Sequence, residues 1–214
     1  MQALSRTELE PLFERLRALF AAQREALIDL DSRAGDSDLG ITMNKAFDAM
    51  HAAVAANAAE PLGKTLQRAG MAAAKAAPST MGTLVATGFM RGGKALEGAD
   101  AIDTAGMAAF WGAFLVGVEE RGKARRGDKT LVDVLAPVAE SLAASAAAGA
   151  PLAQALAAAS AAADAGLEAT RAMVAQHGKA AAFRDRTVGL QDAGGTVVQL
   201  LVAAFAAHVN DKDS

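Results

Sequence analysis

Three aspartates stand close together in the segment Asp31-Ser-Arg-Ala-Gly35-Asp36-Ser-Asp38-Leu-Gly40, with the spacing D-x4-D-x-D. Carboxylates this near one another repel unless a cation or a set of hydrogen bonds neutralises them. An all-oxygen donor set, in a chain with no cysteine and with no histidine nearby, suits a hard divalent ion such as Mg²⁺. Gly35 and Gly40 let the backbone come close to whatever the ion holds. The competing explanation is helix capping. It accounts for Asp38, which precedes a helix, but not for Asp31, which sits unfavourably at the end of one. An EF-hand loop is excluded, because its third ligand and its distant glutamate are missing. A metal–phosphate site is therefore the first chemistry this pattern supports.

Four other segments offer polar groups. Gly40-Ile-Thr42 opens a helix directly after the carboxylates, where free N–H groups and the helix dipole favour a phosphate. Pro78-Ser79-Thr80-Met-Gly82-Thr83 supplies hydroxyls at another helix start, with an ordinary Ser/Thr cap as the plain alternative. Gly127-Asp128-Lys129-Thr130 resembles the end of a P-loop, but the earlier glycine and the preceding strand are absent. Asp128 or Thr130 as an N-cap is the alternative there. The segment from Arg184 to Gly195 is dense in Arg, Gly, Gln and Asp. Its arginines could clamp a phosphate or be solvated surface charges. Ser-His-Asp catalysis has little support, since His51 and His208 lie far from these segments and His177 only borders one.

The elements that must position these groups are helices. Alanine makes up about a quarter of the 214 residues, and it is the strongest helix former. Thr7-Glu-Leu-Glu10 reads as a capping box, followed by Leu9, Leu12, Phe13, Leu16, Leu19, Phe20 and Leu27 at helical spacing. Further helices are expected over residues 41–57, from Pro61 to about Ala77, and from Ser79-Thr80 to the Gly92-Gly93 region. Others should run from Asp103-Thr104, from about Thr130, from Pro151 to near Gly178, and over residues 195–209. No β-hairpin signal is present. The expectation is a single all-α domain over residues 1–214, a closed barrel or bundle of about eight antiparallel, up-and-down helices. In such a topology the connections at 31–40, 78–83, 122–130 and 178–195 share one end. The opposite connections are short and chemically bland, so one composite site at one end is expected.

A net charge of -3 gives no electrostatic reason to expect nucleic acid. The first residues lack the basic start and apolar core of a signal peptide. The stretch 153–165 comes nearest to a membrane span but is interrupted by Gln154, Ser160 and Asp164. A soluble, cytoplasmic protein with no membrane contact is expected.

Taken together, these motifs resemble those of DhaL, the L subunit of dihydroxyacetone (glycerone) kinase. Its Leu-Asp and Gly-Asp-x-Asp-x-Gly signature reads here as Leu30-Asp31 and Gly35-Asp36-Ser-Asp38-Leu-Gly40. Its Gly-Asp-Lys-Thr segment is Gly127 to Thr130, followed by Asp133 and Pro137. Its final signature reads Arg186-Thr-Val-Gly189-Leu-Gln191-Asp192-Ala193-Gly194.

The resemblance implies a barrel of eight helices and two Mg²⁺ ions held by Asp31, Asp36 and Asp38, with ADP or ATP phosphates on the ions. It places Leu39, Gly40, Thr42, Ser79, Thr80, Gly82, Gly127, Arg186, Asp192, Ala193 and Gly194 around the nucleotide. Arg186 would stabilise charge developing in the transfer. It implies a sugar held on a separate K-type subunit, and phosphate supplied either by ATP or by a phosphotransferase-system protein that rephosphorylates ADP. A homodimer is compatible with it. The other reading is a regulatory module that senses ADP and binds a transcription factor or kinase partner without catalysis. This chain departs from the family at Leu39, where many members have His, at Thr42, where they have Asn, and in the 77–83 loop. These departures leave the sugar open.

Overall fold

The computed structural model describes residues 3–212, which form nine α-helices, a few short 3₁₀ turns and one small strand pair. The helices are α1 (Leu9–Ala22), α2 (Arg24–Ser32), α3 (Leu39–Ala56), α4 (Leu62–Ala76), α5 (Thr80–Ala95), α6 (Thr104–Gly122), α7 (Val132–Ala147), α8 (Leu152–Ala169) and α9 (Ala193–Asp211). Each of α3 to α9 packs on the next, α1 packs on α3, and α9 returns to α1. The ring is closed, with α1 and α2 serving as one bent stave, so the expected eight-membered barrel is present.

The stave is nearly continuous. Gln23 donates its N–H to the Leu19 carbonyl at 2.9 Å, and its own carbonyl accepts from Leu27 N–H at 2.9 Å. The break at Gln23, where ψ is 1°, redirects the chain so that the end of α2 meets the start of α3. The capping box expected at Thr7 is not formed. Residues Arg6–Glu8 make a 3₁₀ turn instead, and the Thr7 hydroxyl pairs with that of Ser5 at 2.8 Å. Just before it lies the small sheet: β1 (Leu4–Ser5) pairs antiparallel with β2 (Ala101–Ile102) and ties the N-terminal segment to the α5–α6 connection. A two-residue pairing of this kind leaves no periodic trace in a sequence.

Aromatics are sparse but concentrated inside. Phe20 stacks on Phe47 at 4.2 Å, and Phe89 sits centrally against Phe13, Phe47, Phe110 and Phe114 at 5.6 to 6.4 Å. Each such fully buried ring contributes about 2 kcal/mol or more by leaving water. Small residues bring the walls together. A Cβ at Gly63 would lie 2.5 Å from the Gly93 carbonyl, and one at Gly93 would lie 2.7 Å from that of Gly63. Only glycine allows α4 and α5 to cross this closely.

Among the described helices, α9 is long and apolar enough to cross a membrane, unlike the 153–165 stretch. It is instead a barrel stave, with Val197, Val198, Leu201, Val202 and Phe205 buried. Its last turn closes the ring, where buried His208 meets Glu8 at 3.2 Å. Burial holds the His208 pKa below its ordinary value, opposed by the Glu8 carboxylate.

Candidate functional site

The α2–α3, α4–α5, α6–α7 and α8–α9 connections meet at one end of the barrel and line a cavity of about 500 Å³. The turn between α2 and α3 supplies its acidic corner. Asp31 stands in the last turn of α2, and its Oδ2 accepts the N–H groups of Asp38 at 3.1 Å and Leu39 at 3.4 Å. It therefore caps α3 from the preceding helix, and Asp38, in the N-cap position, makes no side-chain cap of its own. A Cβ at Gly35 would fall 2.0 Å from Asp31 Oδ1, so glycine is required for the turn to wrap that carboxylate. Ser37 adopts a left-handed conformation with φ of 64°, which turns Asp36 and Asp38 toward Asp31. One oxygen from each of the three aspartates lies within 4.8 Å of the others. With Asp31 Oδ1 free of these amides and all donors being carboxylate oxygens, the residues fit a hard divalent cation.

Two helix N-termini face the same space. Ser79 caps α5 by accepting the Gly82 N–H at 3.1 Å, and Asp192 caps α9 by accepting the Gly195 N–H at 2.6 Å. Both caps leave the first N–H groups of their helices, at Thr80, Met81, Ala193 and Gly194, without intrahelical partners. All four residues line the cavity. Such ends favour anions. Leu84, Val118 and Leu131 form an apolar wall beside them.

The floor is built from the loop before α7. Asp133, in the first turn of α7, accepts Gly127 N–H at 2.6 Å and Thr130 N–H at 2.8 Å. Gly127 and Lys129 both take left-handed conformations there, which turns the Lys129 side chain inward. Lys129 is 4% exposed, and its ammonium donates to the carbonyls of Thr170 and Leu190, both at 2.5 Å. Burial lowers the Lys129 pKa, opposed chiefly by the nearby Asp192 carboxylate. Asp192 is pushed up to about 6, first by desolvation and then by Asp133 and Asp31, against the pull of the Gly195 amide and Lys129. The cavity thus concentrates more negative charge than its own cations neutralise.

The fourth wall is the segment 170–192, where the expected long helix ends early, at Ala169. At Thr170 the helix tightens into a 3₁₀ turn, where Met173 N–H and the Lys129 ammonium both donate to the Thr170 carbonyl and its hydroxyl accepts Asp192 N–H at 3.1 Å. Ala175 N–H reaches the Thr187 hydroxyl at 3.0 Å. His177 Nε2 lies 3.0 Å from Asp128, and Lys179 forms an ion pair with Asp36. Arg171 holds the end of the segment, donating to the Gly189 carbonyl and to Gln191 Oε1.

Of the residues expected around a nucleotide, Leu39, Ser79, Thr80, Asp192, Ala193 and Gly194 line the cavity with the three aspartates. Gly40, Thr42, Gly82, Gly127 and Arg186 do not. Gly40 packs where a Cβ would meet the Arg24 carbonyl at 2.0 Å, and Gly82 where one would meet the Ala77 carbonyl at 2.0 Å, so both serve helix contacts. Thr42 is buried in the first turns of α3, and Gly127 is engaged by Asp133. Arg186 is exposed, with its guanidinium 5.2 Å from the centre of the Phe183 ring. Sequence reasoning did not single out Lys129, Asp133, Arg171 or Lys179. The first two stood inside or beside the Gly-Asp-Lys-Thr segment, whereas Arg171 and Lys179 had no local signal.

Comparison with known proteins agrees with this fold. A family model described as the DAK2 domain matches residues 33–207. The ADP-binding subunit DhaL of the PEP-dependent dihydroxyacetone kinase of Escherichia coli is 32% identical over 95% of this chain and 97% of its own length. A D-erythrulose kinase of Mycolicibacterium smegmatis is 30% identical over 91% of this chain, which spans 34% of that enzyme. The crystal structure of the dihydroxyacetone kinase from C. freundii in complex with AMP-PNP and Mg²⁺ superposes with a TM-score of 0.73 and 23% identity. It covers 97% of this chain, which spans 35% of that one.

Proposed function

The chain belongs to the DAK2-domain family, with the DhaL ADP-binding subunits, and from that premise we propose that it is the nucleotide-binding subunit of a kinase for a small ketose. The observation that supports this best is the meeting of three carboxylates with the α5 and α9 N-termini in one cavity. At about 500 Å³ it is of a size to take a nucleotide. Asp31, Asp36 and Asp38 would hold Mg²⁺, which would supply positive charge to offset that of the nucleotide phosphates in phosphoryl transfer. The free N–H groups of Thr80, Met81, Ala193 and Gly194 orient the phosphates, and the wall of Leu84, Val118 and Leu131 takes the base and excludes water from it.

The acceptor sugar is held on a separate K-type subunit that docks on the loop-bearing end. The E. coli relative's description as one subunit of a kinase supports this. Arg186, exposed and outside the cavity lining, would stabilise charge that develops in the transfer. Dihydroxyacetone and erythrulose are both acceptors named for relatives, so the acceptor class is a three- or four-carbon ketose. Phosphate reaches the site as ATP or through a phosphotransferase-system protein acting on resident ADP, the second supported by the "PEP-dependent" description of the E. coli relative.

Calorimetric titration with ADP, with and without Mg²⁺, tests the reading. Tight binding that needs Mg²⁺ is expected, and no binding in either condition overturns it. A chain that binds ADP but transfers no phosphoryl group with any K-type subunit is a sensing module instead.

A further inference from the structure

Resting on that reading, we propose that Lys179 is the mobile cation of the site. It guards Asp36 while the ion position is empty, and it turns to the nucleotide's terminal phosphate once a divalent ion claims that carboxylate. The ion pair between Lys179 and Asp36 joins residues 143 positions apart, across the mouth of the cavity. It does not rest on a loosely held loop. The backbone leading to Lys179 is pinned by Gln176 N–H to the Asp128 carbonyl at 3.0 Å and by His177 against the Asp128 carboxylate. Gly178, with φ of 64° and ψ of −158°, then turns the chain so that the lysine faces Asp36.

The other cations near the site are already committed. Lys129 is buried and holds two carbonyls. Arg171 is bound to Glu168, Gly189 and Gln191, Arg33 to Asp29, and Arg186 lies on Phe183. Lys179 keeps 63% of its side chain exposed on a flexible four-carbon stem, so only its head has to move. A divalent ion outcompetes a single ammonium for Asp36. The displaced ammonium then sits beside the ion, where the phosphate oxygens are the nearest acceptors of charge-assisted hydrogen bonds.

Titration calorimetry on the wild type, Lys179→Gln and Lys179→Arg tests this with Mn²⁺ alone, Mg²⁺–ADP and Mg²⁺–AMP-PNP. Without nucleotide, Lys179→Gln is expected to bind Mn²⁺ about threefold more tightly than wild type, because an exposed competing ion pair is gone. The same variant should bind Mg²⁺–AMP-PNP about tenfold more weakly, the loss of one charge-assisted bond, with Lys179→Arg retaining most of the affinity. A residue with a merely structural role would move both affinities in the same direction. Unchanged Mn²⁺ binding, or unchanged Mg²⁺–AMP-PNP binding, in a wild type that binds both ligands overturns this inference alone. A wild type that binds neither nucleotide overturns the functional reading and this inference with it.

Discussion

The two ends of the barrel solve the same problem of turning helices in different ways. At the end away from the cavity, polar groups meet as donor–acceptor and opposite-charge pairs, by caps and by a few long contacts. Asp103 caps its own helix at Gly106 and Asn57 bonds back to the Ala53 carbonyl, while Arg6 reaches the Ala59 carbonyl, Thr104 the Ala150 carbonyl and His208 the Glu8 carboxylate. At the cavity end they cross between connections far apart in sequence. Lys129 grips Thr170 and Leu190, Lys179 meets Asp36, and Asp192 feels Asp31 and Asp133. One end is paired donor to acceptor and charge to opposite charge. The other stores like-charge repulsion that a bound cation would relieve, the arrangement expected where stability has been given up for binding.

Removing charge at each end should break or sharpen that contrast. The largest effect is expected from Asp38→Asn. A ligand carboxylate is lost, so Mg²⁺–ADP affinity should fall at least about 100-fold in calorimetry, at or beyond the upper end of what outer-shell changes cost. The ligand-free melting temperature should hold or rise, because a repelling charge has gone. A parallel fall in melting temperature would mean that Asp38 is structural.

Next is Lys129→Met, which removes both bonds of the buried ammonium and takes the Lys129 donor from the Leu190 carbonyl, while the Thr170 carbonyl keeps Met173 N–H. A loss of about 2 kcal/mol in denaturant unfolding is expected, larger than the roughly 1 kcal/mol for Thr104→Val at the opposite end. Equal losses would erase the distinction between the ends.

Asp192→Asn gives a pH signature. The folded chain holds this carboxyl at about 6, above its ordinary 3.8, so the folded state binds the proton more tightly than the unfolded one. Its ionisation therefore costs stability as pH rises through that window and costs nothing below it. The variant should be about 1 to 2 kcal/mol more stable than wild type at pH 7.5, with the gap closing toward pH 4. Saturating Mg²⁺–ADP should shrink the gap at neutral pH.

Much of this molecule was legible in its sequence where the physics is local. Helical spacing of Met43, Phe47, Met50 and Val54 in α3, and of Met107, Phe110, Trp111 and Phe114 in α6, marked buried stripes that the fold keeps buried. Ser79, Asp103 and Asp192 stood where caps were needed. The aspartate cluster was visible because its three members lie within one turn. Failures came where a distant group decides. Where α8 ends, Thr170 meets Lys129 and Asp192, both remote from it in sequence. The need for glycine at 40 and 82 likewise comes from the Arg24 and Ala77 carbonyls, which fill the space a side chain would need.

By itself, then, the order of residues determined the helices, their up-and-down succession and the gathering of polar connections at one end. Periodicity, capping and turn chemistry act over a few residues and survive without tertiary context. Only the closed barrel decided which of those polar residues share a cavity. It put Asp31 on the amides of Asp38 and Leu39, buried Lys129 as a brace, carried Lys179 to Asp36 and left Arg186 outside on Phe183. Those outcomes depend on where helix ends meet in space, and contacts such as Lys129 to Leu190 and Lys179 to Asp36, 61 and 143 positions apart, have no signature in local sequence.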